Sequence, residues 1–328
     1  MKRFTFQRAT TIRQAVQLAS AGGASYYAGG TNLLDLMKHG VVEPGTVVDV
    51  RRIGTREIFR TDAGGVLIGG AATNSAIANH HLVRSHYPVL SHAILSGATT
   101  QLRNMATAGG NLLQRTRCPY YMDASFPACN KRTPGSGCAA RDGFNREHAI
   151  FGASDSCVAV HPSDMAVALA ILDALVHVES AAGARRIPLA HFYCLPDNDP
   201  QRDNSMRPGE LITGVELSPH RHYTNGWYLK VRDRHSYAFA LVSVAVGLTL
   251  SDGVITSAAM ALGGVAAMPW RVPDAESALI GTRGDPASLR ASAEMALDGA
   301  IPLRQNGFKI DLAKHAMVRA LECALVAT

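Results

Sequence analysis

Residues 115–156 carry neither helical nor strand periodicity, and Pro119, Pro127, Pro134, Gly135, Gly137 and Gly143 break any element that begins there. A segment of that length without regular structure is long for a loop in a compact domain, and such loops are functional or disordered. This one holds Cys118, Cys129 and Cys138, with Cys157 just beyond, so four of the six cysteines fall in one irregular stretch. A metal centre tethered by the four would order the loop without helix or strand. The stretch is bounded by Thr107-Ala108-Gly109-Gly110-Asn111 on one side and by His161-Pro162-Ser163-Asp164 on the other.

The cysteine gaps are ten, eight and eighteen residues, and no C-x-x-C pair occurs, which removes the usual signal of a zinc ribbon or a thioredoxin-like motif. Four thiolates suit a [4Fe–4S] cluster or a structural zinc, and spacing does not choose between them. Four free cysteines are the third reading. Cys323 lies in an apolar helical pattern and reads as core; Cys194 opens a loop.

The glycine pair of the left flank has a counterpart upstream, Ala28-Gly29-Gly30-Thr31-Asn32. That first pair stands where a short strand hands over to a helix, the place where free N–H groups can meet an anion. Glycine also lets the backbone approach a ligand closely. Two such turns, each followed by a small polar side chain, suggest two backbone cradles for a phosphate-bearing cofactor; two plain tight turns are the alternative. The spacing is not G-x-G-x-x-G, so no Rossmann unit is indicated.

Periodicity predicts a β-α-β-α-β unit complete by about residue 52: strand 3–6, a helix opened by the capping pattern Thr11-x-x-Gln14, strand 25–28, helix 33–38 and strand 47–50. A hairpin follows around Asp62-Ala63-Gly64-Gly65, then helices near 73–78 and 89–95. Residues 107–111 read as a turn. Ser163 is placed to cap an apolar helix over 164–175, and a strand over 211–217 leads to a domain boundary near residue 220. Beyond it, long apolar strands at 239–250 and 254–262 and three helices, at 275–280, 286–297 and 311–324, give an α+β pattern.

Few function classes survive the remaining features. The 328 residues carry a formal net charge of +6, but the Lys and Arg are scattered, so nucleic acid is not expected and a more acidic protein partner would account for the charge. No apolar run of membrane-span length and no apolar signal segment is present, which predicts a chain made in the cytoplasm. No G-x-S-x-G or H-E-x-x-H occurs. The pairs His80-His81 and His220/His222 have no ligand spacing and read as surface.

Taken together, Ala28 to Asn32, Arg103-Asn104 through Asn111, Ser163-Asp164, Pro208-Gly209-Glu210, Lys230, Arg234, Gly263-Gly264-Val265, Pro269 and Arg271 resemble the FAD-binding subunit of the molybdenum hydroxylases, across the whole chain and in that family's order. The resemblance implies an α+β architecture of the vanillyl-alcohol-oxidase type, with two subdomains gripping FAD and a C-terminal α+β domain. In residue terms it implies an FAD-binding domain over 1–220 (subdomains about 1–53 and 54–220, with a cysteine-rich loop at 115–158) and a C-terminal domain over 221–328. It assigns FAD contacts to Ala28, Gly29, Gly30, Thr31, Asn32, Leu33, Thr107, Gly109, Gly110, Asn111, Ser163, Asp164 and Lys230. Asp164 would accept from a ribose or ribityl hydroxyl, and Lys230 would favour negative charge on reduced flavin.

The cysteine insertion, with Cys118-Pro119-Tyr120-Tyr121 and Cys129-Asn130-Lys131-Arg132, resembles the flavin subunits of bacterial aldehyde oxidoreductases, which implies a [4Fe–4S] cluster on Cys118, Cys129, Cys138 and Cys157. It further implies a molybdenum-cofactor large subunit and a [2Fe–2S] small subunit as partners. Electrons would pass from them through FAD to an external acceptor, and export to the periplasm would need a signal-bearing partner. The rival readings are a stand-alone FAD oxidase of the same fold and a zinc-stabilised structural or assembly protein.

Overall fold

The first unit of the chain closes as its caps dictate. Thr11 Oγ1 accepts from Gln14 N at 3.1 Å, and Gln14 Oε1 reaches back to Thr10 N at 2.7 Å, a reciprocal cap at the helix start. The computed structural model describes residues 1–327 except 21, 198, 220–222 and 224; the His220/His222 pair lies outside the described residues. In chain order the unit comprises β1 (Thr5–Arg8), α1 (Ile12–Ser20), β2 (Ala24–Tyr27), α2 (Leu33–Lys38) and β3 (Thr46–Asp49). Its strands form a parallel sheet in the order β1-β3-β2, each crossover made by a helix. Ala15, Val16 and Val48 form its core with Leu211 from much later in the chain. Asp49 ends β3 buried, and its hydrogen bonds from Arg51 hold its carboxyl down at about 2.

The second layer begins with the expected hairpin, β4 (Ile58–Arg60) and β5 (Val66–Gly69). A run of short helices follows: α3 (Asn74–Asn79), α4 (His81–His86), α5 (Pro88–Ser96), α6 (Thr100–Met105), α7 (Ala108–Leu112), α8 (Pro119–Met122) and α9 (Asp164–Ile171). Strands β6 (Leu175–Ser180), β7 (Gly183–Pro188) and β8 (Leu211–Leu217) complete an antiparallel sheet in the order β4-β5-β8-β6-β7. Where the sequence predicts a turn at 107–111, the structure has the helix α7. The extended Thr107 caps it, accepting from Gly110 N at 3.2 Å, so a side-chain cap outweighs the poor helix propensity of two glycines at the first turn. Between α7 and α9 only α8 is regular, as the Pro and Gly content of the loop implies.

The third layer comprises β9 (Asn225–Val231), β10 (Val242–Ser251), β11 (Val254–Gly263), β12 (Trp270–Arg271), α10 (Pro273–Leu279), α11 (Pro286–Ala296) and α12 (Phe308–Val326). Its antiparallel sheet runs β12-β11-β10-β9 and is covered on both faces, which explains its near-continuous apolar strands. Val242, Val244, Val246, Met260 and Leu262 face α10, α11 and α12. The alternate positions are small: Ala245, Ala259 and Ala261 join the core shared with α5 and α9. At Gly263 an added Cβ would lie 2.6 Å from a methyl of Val167 on α9, so the sheet and that helix meet as closely as their backbones allow. Helix α9 is buried almost all round, including Met165, Ala166, Val167, Ala168 and Leu169.

This contact has a measurable consequence. Ala245→Leu would force a large side chain into a fully buried gap between β10 and α9 and is expected to cost about 1–3 kcal/mol. A fall in the denaturation midpoint checks it; an unchanged midpoint would show the gap to be compliant.

Candidate functional site

The first Gly-Gly turn packs against the residues that lead into the second, but the two are not equivalent. Gly30 has φ +73°, a conformation glycine adopts freely, and a Cβ there would strike the Tyr27 ring at 2.5 Å. At Gly29 a Cβ would lie 2.1 Å from Met105 O, so this turn backs directly onto the end of α6 and the approach to α7. Asn32 strengthens the junction: its Oδ1 accepts from Arg115 N at 3.0 Å, while its Nδ2 is buried without a hydrogen-bond partner among the described residues. A buried amide donor left unpaired is costly, and it points to a group the protein binds there. Among the described residues, the main-chain N–H groups of 29–33 donate to no protein acceptor.

The second pair differs. The N–H groups of Ala108, Gly109, Gly110 and Asn111 are taken by Ala72 O, Gly70 O, Thr107 Oγ1 and Thr107 O. Only the first turn therefore leaves its backbone donors unengaged, and at the second a Cβ on Gly110 would meet Thr107 Oγ1 at 3.2 Å. Asn111 Oδ1 accepts from Ser163 Oγ at 2.6 Å and from Gln114 Nε2 at 2.9 Å, which joins the α7 motif to the start of α9. Ser163 Oγ also accepts from Ala166 N, capping α9 as expected.

Asp164 and Lys230, which the resemblance places separately against the cofactor, pair with each other at 2.7 Å. The Asp164 carboxylate also accepts from Tyr228 OH at 2.7 Å, and Lys230 Nζ reaches Ser96 O at 3.4 Å. The lysine charge is thus balanced within the protein. Burial and the neighbouring carboxylate raise the Tyr228 phenol well above its ordinary pKa, so it stays a donor. Tyr228 is absent from the sequence-derived site, although it shares a face of β9 with Lys230 at the two-residue strand repeat. Ser163 and Asp164 line a cleft of about 560 Å³ that continues past Thr116, Cys118 and His148 to Gly263 and Gly264 of the third layer.

All four loop cysteines line a second, smaller pocket. Cys129 and Cys138 face each other across an antiparallel bridge. Asn130 pins the bend, donating from N to Gly137 O at 2.7 Å, accepting from Gly137 N at 2.8 Å and donating from Nδ2 to Ser156 O at 3.0 Å. Burial raises the Cys118 thiol to about 12 and raises Cys157 as well, so a metal would have to displace their protons. Among the described residues, no group of three His, Cys, Asp or Glu is placed to hold a metal ion. Cys118 lines both spaces, and its sulfur lies 3.2 Å from Nε2 of the buried His148. Cys194 borders a neighbouring cavity with Cys157, while Cys323 lies on α12, far along the chain.

A glycine-turn cradle, a capped α9 and a cleft closed by a third α+β layer are the parts of a flavin-binding oxidoreductase subunit. Residues 2–219 match the FAD binding domain in molybdopterin dehydrogenase, and residues 227–324 match the CO dehydrogenase flavoprotein C-terminal domain. The chain belongs to the family of FAD-binding subunits of molybdenum hydroxylases. It is 48% identical to the aldehyde oxidoreductase FAD-binding subunit PaoB of Escherichia coli over 98% of each chain. With the glyceraldehyde dehydrogenase medium chain of Sulfolobus acidocaldarius it shares 26% identity over 85% of this chain and 82% of that one. Reconstituted CO dehydrogenase from Oligotropha carboxidovorans has the same fold, with a TM-score of 0.77 at 24% identity over 100% of this chain and 99% of the other. Among the described residues no helix is long and apolar enough to cross a membrane.

His161 supplies a test of how the site responds to pH. Its ring packs on Tyr193 with centroids 4.4 Å apart, and burial lowers its pKa from 6.5 to about 4. The unfolded chain takes up this proton below about 6.5, and the folded chain does so only near 4. The stability is therefore present above the unfolded value and lost as pH falls through this window, by about 3 kcal/mol. His161→Phe keeps an aromatic ring and should flatten the fall in unfolding free energy between these pH values; an identical pH profile would show that His161 does not titrate this way.

Proposed function

We propose that this chain is the FAD and [4Fe–4S] subunit of a heteromeric molybdenum hydroxylase, an aldehyde oxidoreductase. Its partners would be a molybdenum-cofactor large subunit and a [2Fe–2S] small subunit, and electrons would leave through this chain to an external acceptor. The observation that carries the reading is the shared wall: four cysteines line one cavity, and one of them, Cys118, also lines the cleft that holds Ser163 and Asp164. The 48% identity to an aldehyde oxidoreductase subunit over nearly the whole chain supports the substrate class and the multi-subunit setting. The proposed division is an FAD-binding domain over 1–220, split near 53, and a C-terminal domain over 221–328.

Different features support the two groups. The unengaged N–H groups of 29–33 and the orphaned Asn32 Nδ2 suit a pyrophosphate and its neighbouring hydroxyls. Cys118, Cys129, Cys138 and Cys157 supply the four thiolates a cluster takes. When bound, the flavin converts paired to single electrons and the cluster stores single ones. The chain's own part is positional: Asn111 and Ser163 lock α7 to α9, and Lys230 and Tyr228 hold Asp164 rigid at the cleft.

Two experiments test this. In Gly110→Val the added Cβ would lie 3.2 Å from the capping Thr107 Oγ1, a tight contact the hydroxyl must relieve, so folding is checked by circular dichroism while flavin bound per chain is expected to fall several-fold; a folded variant with full flavin occupancy would remove Gly110 from the site. Cys→Ser at 118, 129, 138 or 157 should sharply lower iron and acid-labile sulfide, with Cys323→Ser as the control. Zinc without iron in the purified protein would sink the cluster reading, and unchanged iron in all four variants would sink the ligand assignment.

A further inference from the structure

His148 belongs to no motif in the sequence, yet it is the side chain that touches a proposed cluster ligand. Its Nε2 lies 3.2 Å from Cys118 Sγ, its Nδ1 is buried with no hydrogen-bond partner among the described residues, and the residue is 2% exposed. A thiolate bound to iron carries no proton, so sulfur and imidazole can bond only if Nε2 carries the hydrogen. That choice also leaves Nδ1 as a bare acceptor rather than an unsatisfied buried N–H.

The imidazole is held in place from behind. His148 N donates to Asn145 O at 3.1 Å, and His148 O accepts from Lys309 Nζ at 2.9 Å and Asn306 Nδ2 at 3.1 Å. Lys309 is fully buried and also donates to Glu147 O and Gly264 O. Two further hydrogen bonds join Asn145 and Gln305: Asn145 N donates to Gln305 Oε1 at 3.1 Å, and Gln305 N donates to Asn145 Oδ1 at 3.0 Å. The start of α12 thus grips the strip of loop that carries His148. Such effort to fix one peptide segment is what a positioned donor requires.

We propose that His148 donates its Nε2–H to the Cys118 sulfur and, as a positioning residue, sets the reduction potential of the cluster on the side facing the flavin cleft. This rests on the reading that the four cysteines hold a [4Fe–4S] cluster. Reduction adds one electron, and the added negative charge is shared onto the sulfur ligands. An N–H pointed at one of those sulfurs stabilises the reduced state more than the oxidised one and raises the potential. No proton moves in this step.

The test compares His148→Leu, which removes the donor, with His148→Gln, which keeps an N–H at similar reach. Each full chain is purified in complex with its partner subunits, iron and sulfide are measured, and the reduced-state EPR signal is followed through a redox titration. The expected result is full iron in both, a more negative potential in the Leu variant, and a potential near the parent value in the Gln variant. Loss of iron in the Leu variant that Gln restores also supports the positioning role. Full iron with an unchanged potential in the Leu variant overturns the proposal and leaves the cluster reading standing. Loss of iron or an equal shift in both variants overturns it too, because a retained N–H would then have no effect. A parent protein without iron overturns the proposal and the cluster reading together.

Discussion

The close seat of α9 on the small-residue face of β10 and β11 is the contact on which the rest of the molecule depends. Ala245, Ala259, Ala261 and Gly263 leave room for a helix at van der Waals distance, and α9 fills it with Ala, Val and Leu on every side. A dense contact of this kind tolerates little sliding. The helix N-terminus therefore has one position, and with it Ser163 and Asp164. From there the order spreads outward: Ser163 holds Asn111 on α7, Asp164 gathers Tyr228 and Lys230 from β9, and the cleft is defined between them.

Burying a charge so close to the cleft is expensive unless it is paired and fully bonded. The Asp164–Lys230 pair meets that condition with two further partners, Tyr228 and Ser96. Lys309 lies outside that condition: it has no ion-pair partner among the described residues, burial pulls its pKa down to about 7, and its Nζ donates to three carbonyls from two separate segments. The two lysines serve unlike ends. Lys230 is paired with Asp164, a residue of the cleft wall, whereas Lys309 ties α12 to the cysteine loop and to Gly264 just past β11.

Much of this was legible in the sequence where local signals agree with the fold. The helix at 33–38 and the strand at 211–217 are found where periodicity places them, and Ser163 caps its helix. The failures share a cause. Helix α7 was hidden because Gly109-Gly110 punctuates a sequence as a turn, and only the Thr107 cap in its actual conformation reverses that. Strand β9 opens with Asn225-Gly226 and is made a strand by pairing with β10, not by its own propensity. Tyr228 and His148 take their roles from partners 64 and 30 residues away, and no local pattern encodes such distances. Likewise, both glycine turns were readable, but which one keeps its N–H groups unengaged depends on Gly70 and Ala72 standing behind the second.

The hydrogen bond from Ser163 to Asn111 joins residues 52 apart in the chain at 2.6 Å, and everything between them leaves and re-enters the flavin domain at nearly one point. The cysteine-bearing segment is therefore a long loop with a closed neck, tied to the third layer through Asn145 and Ile150. Chain entropy makes such a neck insensitive to what hangs from it, since doubling a loop costs only about 0.6 kcal/mol in closure. The architecture can carry a long excursion or a short one on the same neck with its helices and sheets in register.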